Sequence, residues 1–210
     1  AVGELGLSGL QFLTYYPALY GQTESWDSPG FTPFWDAVAD LGLPVFFSLG
    51  GWTGRKGRAA GGPTAVLEAY LAQLGTLSRW MTRYPDVQVV LTHGFNWRMF
   101  MAEDGLAIPD TVLKAAPLDR PNFSVQLLFA IFLGGEWDYP MPQVRNTTEM
   151  LTRRLGADRL IWGTDIPMVL RFYTYRQSLD HIRRYRDSVS ASDMEMIVGG
   201  NMSRLMGIGQ

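Results

Sequence analysis

Residues 87–94 read VQVVLTHG, a short run of aliphatic side chains that is followed at once by His93 and Gly94. A continuous apolar run of this length is typical of a parallel strand that is buried on both faces. Similar runs occur at residues 9–13, 44–49, 122–127 and 159–162. Longer amphipathic stretches separate them, so the pattern predicts repeated β-α units and a parallel sheet in an α/β protein.

The predicted helices have recognisable ends. Thr32 is a candidate cap before Pro33, and this helix stops at Gly42. Thr64 is a candidate cap for a longer helix, in which apolar residues up to Tyr84 recur at a spacing of three and four. The remaining helices are predicted at residues 143–155 and 175–187, and after a capping box of Ser192 and Glu195.

The composition narrows the class of protein. With 210 residues, 47% of them apolar and 18% charged, the chain is expected to form a single globular domain over residues 1–210. A net charge of −2 argues against binding to nucleic acid or anionic lipid. The absence of cysteine excludes disulfides, thiolate metal sites and cysteine nucleophiles. No targeting or membrane-spanning segment is visible in the sequence, which predicts a cytoplasmic protein.

Polar residues lie at the carboxyl ends of three predicted strands. His93 follows the third strand, Asp165 follows the fifth in RLIWGTDIP at residues 159–167, and Ser48 lies near the end of the second. Loops after these strand ends build the active sites of parallel β-α folds. An imidazole there can act as general acid or base or bind a metal, and a carboxylate can bind a metal or orient a histidine. Structural roles, as a hydrogen-bonded core histidine, a turn aspartate and a core serine, remain open for all three.

Two further features bear on a site. Residues 50–63 and 94–121 form longer connections than the architecture needs, and their position after strands predicts a lid, with a merely flexible insertion as the alternative for the first. The second histidine, His181, lies in the arginine-rich stretch DHIRRYR at residues 180–186. We expect it at the surface rather than in a site.

At these residues the chain resembles the amidohydrolase-related family of metal-dependent (β/α)8 barrels, which includes aminocarboxymuconate semialdehyde decarboxylase and dihydroxybenzoate-type decarboxylases. The matching segments are, in order, GLSGLQF (6–12), FTPFWDAVADLGLPVFFSLGG (31–51), YPDVQVVLTHG (84–94), LGADRLIWGTDIP (155–167) and GGNMSRLMGI (199–208). The resemblance implies a fold of the (β/α)8 TIM-barrel type. Because GLSGLQF resembles a strand well after the family's first, it also implies a barrel that lacks its first one or two β-α units in this chain.

The resemblance assigns roles to the candidate residues. Asp165 would bind a catalytic divalent metal, zinc or manganese, and His93 would act beside it as acid or base and as a possible further ligand. Ser48 stands where the family places a histidine ligand, and the family's His-x-His motif is absent from the sequence. These roles imply a decarboxylase or hydrolase of a small aromatic or unsaturated carboxylate. The alternative is a non-catalytic member that lost its metal site and serves as a binding or assembly subunit.

Substrate contacts follow from the same hypothesis. Basic residues of the two long segments would pair with the substrate carboxylate, and aromatic residues would suit a flat ring. The basic candidates are Arg55, Lys56, Arg58 and Arg98, and the aromatic ones Trp52, Trp97 and Phe100. Candidate substrate-binding residues are therefore Ser48, Trp52, Trp97 and Arg98. The resemblance further implies a homodimer, with aromatic contacts at residues 175–187 or 134–140.

Overall fold

The computed structural model describes residues 2–14, 21, 24–50, 62–95, 97–102, 105–127, 142–171 and 173–208. The chain divides into two compact units. The first contains Ala1–Thr92 and Asp110–Phe123, and the second contains His93–Pro109 and Ser124–Gln210. His93 and Asp165 therefore belong to the second unit, and Ser48 belongs to the first.

The strands confirm the predicted β-α pattern. They are β1 (Leu10–Leu13), β2 (Val45–Ser48), β3 (Val89–Leu91), β4 (Met101–Ala102), β5 (Gly105–Leu106), β6 (Phe123–Leu127) and β7 (Leu160–Trp162). The main sheet has the order β1-β2-β3-β6-β7, and the pairs β1/β2, β2/β3 and β6/β7 are parallel. Each strand that the apolar runs predict is present, within two residues at either end.

The helices are α1 (Val2–Leu5), α2 (Thr32–Asp40), α3 (Gly62–Arg83), α4 (Trp97–Phe100), α5 (Asp110–Ala115), α6 (Pro142–Leu155), α7 (Tyr175–Arg183), α8 (Ala191–Glu195) and α9 (Asn201–Leu205). A π-helical turn, Met196–Gly200, joins the last two. Short 3-10 helices occur at Pro29–Phe31, Ala157–Arg159 and Met168–Arg171.

Several predicted helix ends are wrong. Thr32 is the first residue of α2 instead of its cap, α3 begins at Gly62, and α7 ends at Arg183. The cap of α8 is Ser190, whose Oγ accepts a hydrogen bond from the backbone N–H of Asp193 at 3.1 Å. Two serines that are both good caps stand two residues apart, so the pattern alone does not select between them.

An aromatic cluster forms the core of the first unit. Trp35 of α2 and Trp80 of α3 lie with their ring centroids 5.0 Å apart, and Trp80 lies at the same distance from Phe47 of β2. Trp26 joins this cluster and accepts a 2.7 Å hydrogen bond at its carbonyl oxygen from the Trp35 indole N–H. Helices α2 and α3 therefore cover one face of β2, where burial of large rings contributes most of the hydrophobic stabilisation.

The second unit has an aliphatic core, to which β6, β7, α6 and the π-helical turn contribute. Its fully or almost fully buried residues include Val125, Leu127, Val144, Leu151, Leu160 and Ile197. Tyr175, at the start of α7, packs edge-on against Trp162 with centroids 5.5 Å apart and is half exposed. The predicted dimer contact through α7 stays a prediction.

The long segment after β3 contains regular structure. It includes α4, an antiparallel pair of β4 and β5, and α5. Most of residues 50–63 lies outside the described part of the chain, as do residues 134–140, so the expectation of a lid and the proposed loop contacts stay predictions. Among the helices that the structure describes, none is long and apolar enough to span a membrane.

Candidate active site

His93 and Asp165 share an uncommon backbone conformation. Their φ angles are +60° and +53°, and within the described ranges they are the non-glycine residues with positive φ. The left-handed conformation costs an L-residue about 1–2 kcal/mol. Strain of this kind persists where surrounding structure imposes it, and it is concentrated at functional sites. Two of the three strand-end residues that the sequence singles out, His93 and Asp165, therefore also have an unusual backbone conformation.

The imidazole of His93 is partly buried and lies within electrostatic reach of Asp165. Burial lowers the pKa of His93 below its ordinary value, because a charged imidazolium is poorly solvated there, and the Asp165 carboxylate opposes this in part. The ring is therefore neutral near pH 7 and can accept a proton. The nearby carboxylate stabilises the imidazolium that results.

Gln126 is a third polar residue at the same place, and the sequence analysis missed it. It is the penultimate residue of β6, and its side-chain Oε1 accepts a hydrogen bond of 3.4 Å from the backbone N–H of His93. This bond holds the left-handed turn at His93. A polar side chain inside the apolar strand FSVQL, at the carboxyl end, is the signal that marked Ser48 on β2 and could have marked Gln126 as well.

Backbone hydrogen bonds position Asp165. The N–H of Gly163 donates to the carbonyl oxygen of Leu127 at 3.1 Å, which joins the chain after β7 to the end of β6. Three residues beyond Asp165, the N–H of Met168 donates back to the Asp165 carbonyl oxygen at 2.6 Å. The carboxylate is therefore carried on a turn that is fastened on both sides. His93, Gln126 and Asp165 all belong to the second unit.

Ser48 is part of a buried hydroxyl chain in the first unit and is only 2% exposed. Its Oγ lies 2.6 Å from the Oγ1 of Thr92, and Thr92 in turn donates to the carbonyl oxygen of Phe47 at 3.0 Å. Ser48 is therefore the donor to Thr92. The Ser48 Oγ also accepts a 3.4 Å bond from the Nε2 of Gln11, and Thr14 donates to the Ser48 carbonyl oxygen. The hydroxyl thus has structural partners on both sides.

The structure describes only some of the other residues that are predicted to bind substrate. Trp97 and Arg98 lie in α4, where the structure describes their backbone, and Trp52 lies outside the described residues. Their substrate-binding roles stay predictions.

The expectation for His181 is wrong. It is 2% exposed and lies on the buried side of α7 with Ser178 and Ile182. Its Nδ1 is 3.3 Å from the carbonyl oxygen of Gln177, and its ring meets Tyr185 edge-on. Burial lowers the pKa of His181 to about 4, although the hydrogen bond to Gln177 opposes the shift. The neighbouring arginines suggested a surface position because they are themselves exposed, at the last residue of α7 and directly after it.

The donors at the site do not form a complete metal centre. His93 and Asp165 are two candidate ligands, whereas a catalytic zinc usually takes three from the protein. Over the parts of the chain that the structure describes, no group of three or more His, Cys, Asp or Glu side chains is placed to hold an ion. The hydroxyl of Ser48 is engaged with Thr92 and Gln11. The described residues alone therefore do not fit the metal that the resemblance implies.

Comparison with known proteins establishes the family. The family model Amidohydro_2, described as amidohydrolase, matches residues 1–208, and the chain belongs to this family. Among curated protein sequences, none matches the chain significantly.

Several solved structures share the fold of this chain. A probable 2-pyrone-4,6-dicarboxylic acid hydrolase of Acinetobacter baumannii, with citric acid bound, is 16% identical with a TM-score of 0.61, over 99% of this chain and 67% of its own. A dihydroxybenzoic acid decarboxylase of Polaromonas sp. JS666, with manganese and the inhibitor 2-nitroresorcinol, is also 16% identical with a TM-score of 0.61. That match covers 100% of this chain and 63% of its own.

A third structure, an amidohydrolase of Burkholderia multivorans with bound zinc, is 15% identical with a TM-score of 0.52. The match covers 99% of this chain and 86% of that structure's chain. The predicted α/β fold of TIM-barrel type is confirmed, and the chain spans about two thirds of the first two of these structures.

Proposed function

We propose that this chain carries the acid–base part of the active site of an amidohydrolase-family enzyme, a decarboxylase or hydrolase of a small aromatic or unsaturated carboxylate. The observation that supports this most directly is the pairing of His93 with Asp165 at strand ends, both with left-handed backbones. Among structures of similar fold are a hydrolase and a decarboxylase whose names contain such carboxylates.

His93 performs the proton transfer in either reaction. In hydrolysis, the neutral imidazole takes the proton from the water, whose oxygen bonds to the substrate carbonyl carbon, and Asp165 stabilises the imidazolium that forms. The bond from that carbon to the leaving oxygen then breaks, and the imidazolium returns its proton to this oxygen. In decarboxylation, the imidazole first takes up a proton from water and then gives it to the carbon that carries the carboxylate. The bond from that carbon to the carboxylate breaks, and CO₂ is released. Since the described residues do not provide a full set of metal ligands, the proton transfers are assigned to side chains alone.

The test is turnover by the full protein as it is expressed. Dihydroxybenzoates are assayed for CO₂ release, and 2-pyrone-4,6-dicarboxylate is assayed for ring opening by absorbance. His93→Gln and Asp165→Asn are each expected to lower kcat/KM by about 10²–10⁴-fold, the range of general acid–base contributions. Arg153→Ala is the control, because Arg153 is exposed and 3.8 Å from its ion-pair partner Glu149. Retention of activity within about threefold in both site variants, or no turnover of any compound, would contradict the proposal.

The second candidate function is a non-catalytic binding subunit, which the engaged hydroxyl of Ser48 favours. This candidate predicts carboxylate binding without turnover and no stoichiometric metal in the purified protein. Turnover separates the two candidates, because a metal-free protein that still converts a substrate is an enzyme. Stoichiometric metal that is lost in Asp165→Ala would also support the enzyme.

A further inference from the structure

We propose that Gln126 is a substrate-binding residue, whose side-chain N–H groups donate to an oxygen of the substrate carboxylate. This inference rests on the proposed function, because it takes His93 and Asp165 to be the site at which the carboxylate lies. It adds to that site a neutral hydrogen-bond donor that the family resemblance did not point to.

The orientation of the Gln126 amide follows from its partner. A backbone N–H can only donate, so the atom of Gln126 that faces the His93 N–H at 3.4 Å is the carbonyl oxygen Oε1. This removes the usual ambiguity between the oxygen and the nitrogen of a glutamine side chain. Because the amide group is planar, Nε2 and its two N–H donors then point away from the His93 backbone.

These two donors are available to a ligand. Across the parts of the chain that the structure describes, the bond to His93 is the hydrogen bond that Gln126 makes, so Nε2 has no protein acceptor. Val125 and Leu127 on either side are fully buried, whereas Gln126 remains partly exposed. Side chains alternate along a strand, so Gln126 projects from the face opposite to that of its two apolar neighbours. On this face, a polar group with free donors is reachable from solvent.

The chemistry of the site selects the ligand atom. The N–H donors of Gln126 require an acceptor atom in the ligand. A carboxylate oxygen is the strongest acceptor in the proposed substrate class, and a hydrogen bond to a charged oxygen is stronger than one to a neutral oxygen. One amide group would then bind both the His93 backbone and the substrate oxygen, so its main contribution is to binding. We therefore expect Gln126 to affect KM more than kcat.

The experiment measures binding by calorimetry, with benzoate and the neutral benzamide as probes, in the full protein. Gln126→Glu keeps the size of the side chain but replaces the donors with a negative charge. This variant is expected to weaken the binding of benzoate by about tenfold or more, while the binding of benzamide is unchanged or tighter. Gln126→Met, which removes the donors without adding charge, is expected to weaken benzoate by about fivefold.

The matched control is Gln88→Glu, which adds the same charge at an exposed residue just before β3. It is expected to leave both probes unaffected. Circular dichroism and the melting temperature verify that each variant is folded. Equal effects of Gln126→Glu and Gln88→Glu, or a wild-type protein that binds no benzoate, would overturn the inference.

Turnover separates this inference from the proposed function. If Gln126→Glu loses benzoate while His93→Gln and Asp165→Asn retain activity, the assignment of Gln126 stands and the acid–base proposal fails. If turnover depends on His93 but benzoate binding is indifferent to Gln126→Glu, the failure belongs to Gln126 alone.

Discussion

The carboxyl ends of the strands are built differently in the two units. In the first unit, Thr14, Ser48 and Thr92 are buried, and their hydroxyl groups are bonded to one another or to the backbone. In the second unit, His93 and Asp165 are partly exposed and have left-handed backbones. Polar groups with satisfied hydrogen bonds stabilise a fold, whereas strained and accessible ones are available to a ligand. The difference supports the proposed chemical role of the second set and favours a structural role for the first.

Acid is expected to weaken the protein mainly through the second unit, which contains both histidines of the sequence. The pKa of His181 is about 4 in the folded protein and about 6.5 when unfolded. Between these values the unfolded chain binds the proton and the folded chain does not. The stabilisation is therefore complete above about pH 6.5 and is lost as the pH falls towards 4, by about 2–3 kcal/mol.

Urea unfolding of the wild type and of His181→Phe, at pH 7.5 and at pH 4.5, measures this loss. The variant keeps a buried ring beside Tyr185 but cannot titrate, so its stability should fall by about 2–3 kcal/mol less than that of the wild type. Parallel pH profiles for the two proteins would show that the buried imidazole is not responsible.

The hydroxyl chain of the first unit gives the next largest effect. Ser48→Ala and Thr92→Val each remove one member and leave a buried partner unsatisfied, which costs about 1–3 kcal/mol. The double variant should cost less than the sum of the two, since both singles break the same 2.6 Å bond. Strict additivity in urea unfolding would mean that this bond does not couple them. An unchanged KM in Ser48→Ala would limit the hydroxyl to a structural role, and a raised KM would support its predicted contact with substrate.

The smallest expected effect is on stability, and it depends only on the backbone conformation at the two kinds of strand end. At Asp165, glycine should be more stable than alanine by about 1 kcal/mol, because glycine adopts a positive φ without cost. At Ser48, within β2, alanine should instead be the more stable by about 0.5–1 kcal/mol. Comparing Asp165→Gly with Asp165→Ala cancels the loss of the carboxylate. The same order of stability at both positions would contradict the contrast.

The sequence predicts much of this fold, because the five apolar runs are long enough to identify buried strands without help from tertiary contacts. His93 and Asp165 were predictable for the same reason, since position after a strand places them at the functional edge of a parallel sheet. The left-handed backbone conformation of His93 and Asp165 was not predictable, because non-glycine residues seldom adopt it and tertiary structure imposes it.

His181 and Gln126 show two different limits of sequence interpretation. On α7 the buried residues Ser178, His181 and Ile182 are three and four positions apart and lie on one side of the helix. The charged residues around them made this buried side hard to recognise in the sequence. The position of Gln126 near the end of β6 is visible in the sequence, but its bond to the backbone of His93, 33 positions earlier in the chain, is visible only in the structure.

Asn201 shows what a family motif can and cannot report. Its side-chain Nδ2 donates both hydrogens, to the carbonyl oxygens of Ala157 at 2.7 Å and of Leu160 at 2.8 Å, and it is almost completely buried. The segment GGNMSRLMGI therefore secures the amino end of the strand that leads to Asp165. A chain that kept this segment but replaced His93 and Asp165 would keep both of these hydrogen-bonding partners of Asn201. Family membership that rests on such a structural segment describes the architecture. The chemistry is decided by the residues at the carboxyl end of β7.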